Sequence, residues 1–145
     1  MFKNTIFLLR PQQYIKNFFI FLPLFFGLQA LNNDLIIQLC ITFIGFSAIA
    51  STVYIFNDHI DIKSDQNHPV KRNRPLAAGT LSLKWARLVA CFLLISGLSI
   101  AYAQHTIFYF LTYILLNILY SLKLKHIPII DVFIIATGFV IRIMI

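Results

Sequence analysis

The chain contains no glutamate and few charges of any kind, since only 12% of its 145 residues are charged and 59% are hydrophobic. A soluble domain of this length cannot bury so much apolar surface, so a soluble globular fold is excluded. The alternation of apolar and polar residues that a membrane-spanning strand needs is also missing. The long hydrophobic runs therefore predict an all-α integral membrane protein.

Several common functional sites are missing as well. The two cysteines, Cys40 and Cys91, lie in apolar runs and lack the spacing of a zinc or thioredoxin-type site. No phosphate-binding Gly-Lys-Ser/Thr loop, dinucleotide fingerprint or serine nucleophile elbow is found. The net charge of +7 comes from basic residues between the apolar runs, so it indicates topology and predicts no nucleic-acid partner.

Five hydrophobic segments predict one membrane domain over residues 1–145, because a span takes about 20 residues. We predict transmembrane helices at residues 14–31, 35–56, 85–103, 107–122 and 127–145. The N-terminal arm and the polar loop at residues 57–84 are basic, so the positive-inside rule places both in the cytoplasm, at the inner or plasma membrane. The last segment runs to Ile145 without a polar tail, which predicts a truncated chain.

Three of the five aspartates fall within nine residues, as Asp58, Asp61 and Asp65. If the second helix continues through them, they lie within an arc of about 60° on one face. Carboxylates one turn apart repel by roughly 2–3 kcal/mol per pair, so a cation is expected among them. Mg²⁺ suits such a site because it takes one or two carboxylates and completes its shell with water and phosphate oxygens. The alternative is a solvated helix end that pairs with Lys63.

A basic loop follows the aspartates and carries Lys71, Arg72 and Arg74, with prolines and a glycine that keep it compact. Arginine offers a planar fork for phosphate oxygens and lysine a point charge, so the loop and a metal ion can together clamp a diphosphate. The alternative is that these cations only mark the cytoplasmic side and bind anionic membrane lipids.

These residues resemble a known family. The first signature of the UbiA-type superfamily of membrane prenyltransferases is similar to Asn57-Asp58-x-x-Asp61-x-x-x-Asp65 with Arg74-Pro75-Leu76-Ala77-Ala78-Gly79. More narrowly, the branch of decaprenyl-phosphate phosphoribosyltransferases is similar to Arg10-Pro11-x-Gln13-Tyr14-x-Lys16-Asn17, His68-Pro69-x-Lys71-Arg72-x-Arg74-Pro75, Tyr120 with Leu124-Lys125-His126, and Ile141-Arg142.

The resemblance implies Mg²⁺-dependent transfer of a phosphoribosyl group from phosphoribosyl diphosphate to a polyprenyl (decaprenyl) phosphate at the cytoplasmic membrane face. It implies that Asp58 and Asp61 are catalytic. The implied metal-diphosphate ligands are Asn57, Asp58, Asp61 and Asp65, and the implied phosphate-binding residues are Lys71, Arg72 and Arg74. In the same fold, the alternative is transfer of a prenyl group from its diphosphate to an aromatic acceptor. A third possibility is an inactive remnant.

Other matched positions have two interpretations each. Lys16 and Asn17 either bind the lipid phosphate or anchor the first helix at the interface, and Tyr120 and Lys125 pose the same choice. Arg142 either has a buried role in substrate binding or meets water at the end of the last span.

The chain departs from the family in its length. The UbiA-like helix bundle has about nine transmembrane helices, of which about five are predicted here, and a second group of functional residues belongs to the later half. The resemblance therefore implies either a truncated chain or a partner that supplies the missing half, with a homo-oligomer as another arrangement.

Overall fold

A computed structural model describes residues 2–27, 32–122 and 128–145 of the chain. These residues form seven α-helices and two 3₁₀ helices and include no strand, so the predicted all-α class is confirmed for them. In chain order the α-helices are α1 (Phe2–Leu9), α2 (Leu22–Phe26), α3 (Asn33–Ile60), α4 (Ile62–Gln66), α5 (Leu83–Ala103), α6 (Ile107–Leu122) and α7 (Pro128–Met144). The 3₁₀ helices are Pro11–Phe21 and Lys71–Asn73.

Among the described residues, α3 and α5 are the helices long and apolar enough to cross a membrane. The 28 residues of α3 extend about 42 Å, more than the roughly 30 Å of a hydrocarbon core. Asn32 caps α3 by accepting a hydrogen bond from the backbone N–H of Leu35 at 3.1 Å. Ser82 caps α5 in the same way, at 3.2 Å from the backbone nitrogen of Trp85. These caps fix where the two long helices begin.

The core surrounds α3, which contacts α1, α5, α6 and the 3₁₀ helix Pro11–Phe21. Phe46 is fully buried in it and packs edge-on against Phe110, with ring centroids 5.2 Å apart. A second, smaller cluster lies near the end of α3. Leu76 and Leu81 of the basic loop pack there with Leu8, Ile55 and Ala86 from α1, α3 and α5. The loop is therefore anchored to the helices by its own apolar side chains.

Two glycines allow α3 and α5 to cross closely. A Cβ atom on Gly97 would lie 2.7 Å from Cγ1 of Ile49 and 3.0 Å from the backbone oxygen of Gly45. A Cβ atom on Gly45 would lie 2.6 Å from Cγ2 of Ile100. Small residues at such crossings let helix backbones approach each other, which is how helices associate within lipid.

The first hydrophobic segment differs from the helix predicted at residues 14–31. It forms the 3₁₀ helix Pro11–Phe21 and then the short α2, while residues 28–31 lie outside the described part of the chain. Arg10 precedes it with a left-handed backbone (φ 53°), and Pro11 begins it. Proline has a fixed φ and no N–H, so it suits the first position of a helix and separates this segment from α1.

The 3₁₀ geometry brings its polar residues into register with α3. Residues three apart in a 3₁₀ helix lie in line and about 6 Å apart, and residues four apart in an α-helix are also separated by about 6 Å. Tyr14 shares a hydrogen bond of 2.7 Å with Ser51, and Asn17 donates to the hydroxyl of Ser47 at 2.9 Å. An eleven-residue 3₁₀ helix is unusually long, and this match in spacing explains its position against α3.

The second helix extends further than residues 35–56, the range predicted for it. The backbone N–H of Asp61 donates to the oxygen of Asn57 at 2.9 Å, and that of Asp65 donates to the oxygen of Asp61 at 2.7 Å. Asn57 and Asp58 thus belong to the last turn of α3, and Asp65 belongs to α4, so this part of the predicted loop at residues 57–84 is helical.

The later helices lie at Leu83–Ala103, Ile107–Leu122 and Pro128–Met144, against predictions of 85–103, 107–122 and 127–145. Residue 127 falls outside the described ranges.

Replacing Gly97 by valine should destabilise the fold by about 1–3 kcal/mol, because the new side chain would force Ile49 and the Gly45 backbone apart. Thermal unfolding of the detergent-solubilised chain measures the effect. Ser99→Val is the matched control, since Ser99 lies on an exposed face of the same helix. Equal unfolding temperatures for the two variants would contradict the close crossing.

Candidate functional site

The end of α3 holds two buried carboxylates between two arginines. Asp58 and Asp65 are each only 2% exposed. One guanidinium nitrogen of Arg74, Nη1, lies 3.1 Å from Oδ1 of Asp58 and 2.7 Å from Oδ2 of Asp65. Arg10 also forms an ion pair with Oδ1 of Asp58. The two negative charges are therefore balanced by two positive charges from different segments of the chain, as buried charges require.

Local backbone structure aims both arginines at the acids. Arg10 occupies the junction between α1 and the 3₁₀ helix Pro11–Phe21, where its left-handed backbone turns the chain. Arg74 follows the 3₁₀ turn Lys71–Asn73 with an extended backbone, and its own N–H donates to the oxygen of Lys71 at 2.9 Å. The amide of Gln66 donates to the oxygen of Ala77 at 3.3 Å and so ties α4 to the loop.

The other predicted members of this site are more exposed than Asp58 and Asp65. Asp61 is half-buried at the junction of α3 and α4. Lys71 and Arg72 are exposed on the 3₁₀ turn, where the backbone N–H of Lys71 donates to Nδ1 of His68 at 3.2 Å. Of the three predicted loop cations, only Arg74 contacts the buried carboxylates.

The donor set suits Mg²⁺ in part. Within the described ranges no three His, Cys, Asp or Glu side chains are close enough to hold a metal by themselves. However, oxygens of Asp58 and Asp65 converge on a single nitrogen of Arg74, which is the point where a bridging cation would be favoured. Mg²⁺ takes one or two protein carboxylates and fills its shell from water and phosphate. The two converging carboxylates fit that pattern, provided that Arg74 moves aside.

A cavity of about 250 Å³ lies on the other side of the last turns of α3. Four of the predicted site residues line it, namely Lys16, Asn57, Tyr120 and Arg142. Its other lining residues include three polar ones that the sequence did not single out, Tyr54, Tyr113 and Asn117. Residues from the start, middle and end of the described chain therefore meet around one space.

Arg142 is the most buried cation of this cavity, at 5% exposure. Its Nε donates to Oδ1 of Asn17 at 2.9 Å, its Nη1 to the backbone oxygen of Gly138 at 2.6 Å, and its Nη2 to the hydroxyl of Tyr113 at 3.3 Å. Its guanidinium also lies 5.0 Å from the ring centroid of Phe46. Burying a charge away from water is costly unless the charge is hydrogen-bonded or paired, so these contacts compensate a substantial penalty. Of the two interpretations, the structure supports burial and not contact with water.

Neighbouring polar groups hold this cavity wall in place. Asn17 is 1% exposed and connects Arg142 to the hydroxyl of Ser47 on α3. Ser121 on α6 donates to the side-chain oxygen of Asn57. Asn17 and Asn57 are therefore fixed by hydrogen bonds on both sides of the cavity.

A second cavity, of about 180 Å³, lies against the ion pairs and is lined by Phe7, Arg10, Gln12, Gln13, Asp58, Arg74 and Pro75. Consecutive residues of α3 line the two cavities, Asn57 the first and Asp58 the second. The guanidinium of Arg10, which lines the second cavity, also lies 5.3 Å from the ring centroid of Tyr54, which lines the first. The acidic cluster and the Arg142 cavity are therefore neighbours in the fold.

Polar residues at helical spacing are the signal that would have found the missed residues. Tyr113, Asn117 and Ser121 recur every four residues in the otherwise apolar α6, so they form one polar stripe. Ser47, Ser51, Tyr54 and Asp58 form a similar stripe on α3. The predicted residue Lys125 lies outside the described part of the chain.

The fold and the site define an α-helical integral membrane protein with a cluster of paired acids and arginines at one end of its longest helix. Residues 18–145 match the model of the UbiA prenyltransferase family, and the chain belongs to that family. The family suggested by the sequence motifs is thus confirmed.

Several similar proteins have names that specify an enzymatic activity. The chain is 37% identical over 142 residues to a decaprenyl-phosphate phosphoribosyltransferase of Corynebacterium glutamicum, covering 94% of the chain and 43% of that relative. It is 32% identical to the protein of the same name from Mycolicibacterium smegmatis, covering 92% and 44%. It is also 36% identical over 87 residues to a protoheme IX farnesyltransferase of Pseudomonas syringae pv. syringae, covering 57% and 30%. The chain spans less than half the length of these curated relatives.

Replacing Arg10 by glutamine should lower the free energy of unfolding by about 2 kcal/mol. Removing one partner of a buried ion pair costs about 3–5 kcal/mol, and here the loss is smaller because Arg10 is partly exposed and Arg74 remains beside Asp58.

Chemical denaturation in detergent measures this loss, with Arg87→Gln as the control because Arg87 is exposed on α5. The double variant Arg10→Gln/Asp58→Asn should recover part of the stability, since the buried charge is then removed. Additive losses in the double variant would contradict the coupling.

Proposed function

We propose that the protein transfers a phosphoribosyl group from phosphoribosyl diphosphate to a polyprenyl phosphate, with Mg²⁺ as cofactor. The observation that carries this proposal is the cluster of Asp58 and Asp65 around Arg74, which combines the oxygen donors of a metal site with a cation for phosphate oxygens. The names of the relatives from Corynebacterium and Mycolicibacterium support the substrates. The chain spans less than half the length of those relatives. The proposed activity is therefore that of a protein with the relatives' full length.

In this proposal the donor diphosphate binds at the end of α3. Asn57, Asp58, Asp61 and Asp65 hold the metal-diphosphate, and Arg74 turns from the carboxylates towards phosphate oxygens. Lys71 and Arg72 are exposed on the 3₁₀ turn of the same loop, so they can close over the diphosphate. When bound, Mg²⁺ supplies positive charge that stabilises the leaving diphosphate.

The reaction needs no nucleophile from the protein. An oxygen of the lipid phosphate forms a bond to the anomeric carbon of the ribose as the bond from that carbon to the diphosphate breaks, and the diphosphate leaves with the electron pair. Arg10 and Arg74, which both pair with Asp58, supply positive charge beside the proposed diphosphate position. Preorganised charges of this kind contribute by stabilising the transition state.

The second candidate is transfer of a prenyl group from a prenyl diphosphate to an aromatic acceptor. The partial match to protoheme IX farnesyltransferase favours it. The acidic cluster serves either donor, because both carry a diphosphate. The wider coverage of the phosphoribosyltransferase relatives, 94% against 57% of the chain, favours the first candidate.

We also propose that the acidic cluster faces the cytoplasm in the inner or plasma membrane. Residues 1–16 and 63–87 carry nine of the twelve lysines and arginines, and cells retain such basic segments on the cytoplasmic side. A cysteine placed at the exposed Lys71 should react with a membrane-impermeant thiol reagent only in inside-out vesicles. Labelling in right-side-out vesicles would contradict the proposed orientation and indicate that the cluster faces the opposite side of the membrane.

Substituting Asp61 by asparagine should reduce phosphoribosyl transfer by about 10²-fold or more, because it removes a charge from the proposed diphosphate site. The assay follows labelled phosphoribose into polyprenyl phosphate in membranes, with prenyl diphosphate and an aromatic acceptor in parallel. It uses the chain itself and a chimera in which the chain replaces the matching segment of the Corynebacterium glutamicum relative.

Asp34→Asn is the matched control, since Asp34 is exposed in the first turn of α3 and Asp61 follows the last turn of that helix. EDTA should abolish transfer, and added Mg²⁺ should restore it. Prenyl transfer in place of phosphoribosyl transfer would establish the second candidate, and a chimera that is silent in both assays would indicate an inactive remnant.

A further inference from the structure

Among the described side chains, the guanidinium of Arg142 forms no ion pair with a carboxylate. It lies 5.0 Å from the ring of Phe46, and Asp34 and Asp58 are each twelve residues from Phe46 along α3, about 18 Å away. Position 131 is eleven residues before Arg142 on α7, about 16 Å along the helix axis. The two remaining aspartates follow Asp58, and the chain has no glutamate. Within the described part of the chain, this buried positive charge therefore has no carboxylate as its counter-anion.

The cavity beside Arg142 offers donors to an anion. A guanidinium has five N–H groups, and within the described ranges Arg142 uses three of them on Asn17, Gly138 and Tyr113. Lys16 supplies a second cation to the cavity wall. Hydroxyl and amide groups complete the polar lining, and the lining residues that the structure describes include no carboxylate but do include Tyr54, Asn57, Tyr113, Asn117 and Tyr120.

We infer that this cavity binds a phosphate monoester, with Arg142 at its inner end and Lys16 on its wall. The inference rests on the proposed function, whose two substrates each carry such a group: the lipid phosphate of the acceptor and the ribose 5-phosphate of the donor. The volume of about 250 Å³ is smaller than the roughly 300–1,000 Å³ typical of whole-ligand sites, so the cavity takes only a polar head group. The adjoining acidic cluster then holds the diphosphate.

The competing explanation is a purely structural arginine. Arg142 lies within 5.0–5.6 Å of the ring centroids of Phe46, Tyr113 and Phe139, and such contacts with aromatic faces stabilise a buried guanidinium. This explanation does not account for Lys16, which is exposed overall and faces the same cavity. It predicts that Lys16 has no effect on the binding of any phosphate.

Binding to the chain in lipid nanodiscs, measured by titration calorimetry in EDTA, tests the inference. The probes are geranyl phosphate and ribose 5-phosphate, with geraniol and ribose as phosphate-free controls. EDTA keeps a metal-dependent diphosphate site from contributing. We expect at least one phosphate to bind and its phosphate-free control not to bind.

Lys16→Met should weaken that binding by about tenfold or more, and Arg142→Lys should also weaken it because lysine lacks the planar fork. Lys84→Met should leave it unchanged, since Lys84 is exposed on α5 away from the cavity. Lys16 is exposed, so Lys16→Met keeps the test informative if the Arg142 variant fails to fold. Loss confined to geranyl phosphate would assign the cavity to the acceptor, and loss confined to ribose 5-phosphate would assign it to the donor.

Equal binding by wild type and Lys16→Met, or equal binding of geraniol and geranyl phosphate, would overturn the inference. Mg²⁺-dependent binding of phosphoribosyl diphosphate, lost in Asp61→Asn, is measured in the same nanodiscs. If that binding persists while the monoesters fail to bind, the proposed function stands and only the cavity assignment falls. If the monoesters bind but phosphoribosyl diphosphate does not, the cavity assignment stands without that donor.

Discussion

The polar stripe of α3 is the constraint on which the rest of the structure depends. Ser47, Ser51, Tyr54 and Asp58 follow one another along a helix that is otherwise apolar and long enough to cross a membrane. Lipid offers these groups no hydrogen-bond partners, so other segments must cover them. The 3₁₀ helix Pro11–Phe21 provides side chains at the matching spacing, and Arg10 neutralises the acid at the end of the stripe. The candidate site exists where this covering leaves space.

Composition alone is sufficient to predict the helical membrane fold, because 59% hydrophobic residues in long runs allow little else. The later helices were predicted to within a few residues, since polar residues interrupt the apolar runs of the sequence, as Ser82 does before α5. The first segment was not. Its hydrophobicity is typical of a span, but its 3₁₀ geometry depends on partners some 30 residues later in the chain, and a local pattern does not contain that information.

The motif residues were found from their spacing, whereas their contacts were not. Three loop cations looked equivalent in the sequence, yet only Arg74 reaches the acids, because the turn Lys71–Asn73 exposes the other two. Tyr113 and Asn117 were not predicted as site residues. Both are uncharged, and tyrosine is common near membrane surfaces, so neither indicates a site by its residue type. The burial of Arg142 depends on Asn17, far away in sequence, and only the folded chain shows that contact.

The bond between Asn17 and Arg142 joins residues 125 positions apart, and this separation bears on how the protein is made. Helices inserted one after another into a membrane can pack α3 against α5 early, because those helices are neighbours in sequence. The inner end of the Arg142 cavity cannot form until α7 has docked against the N-terminal segment. During synthesis, the side-chain oxygen of Asn17 therefore lacks this partner until α7 arrives, and the arrival of α7 is the step that closes the wall of the cavity.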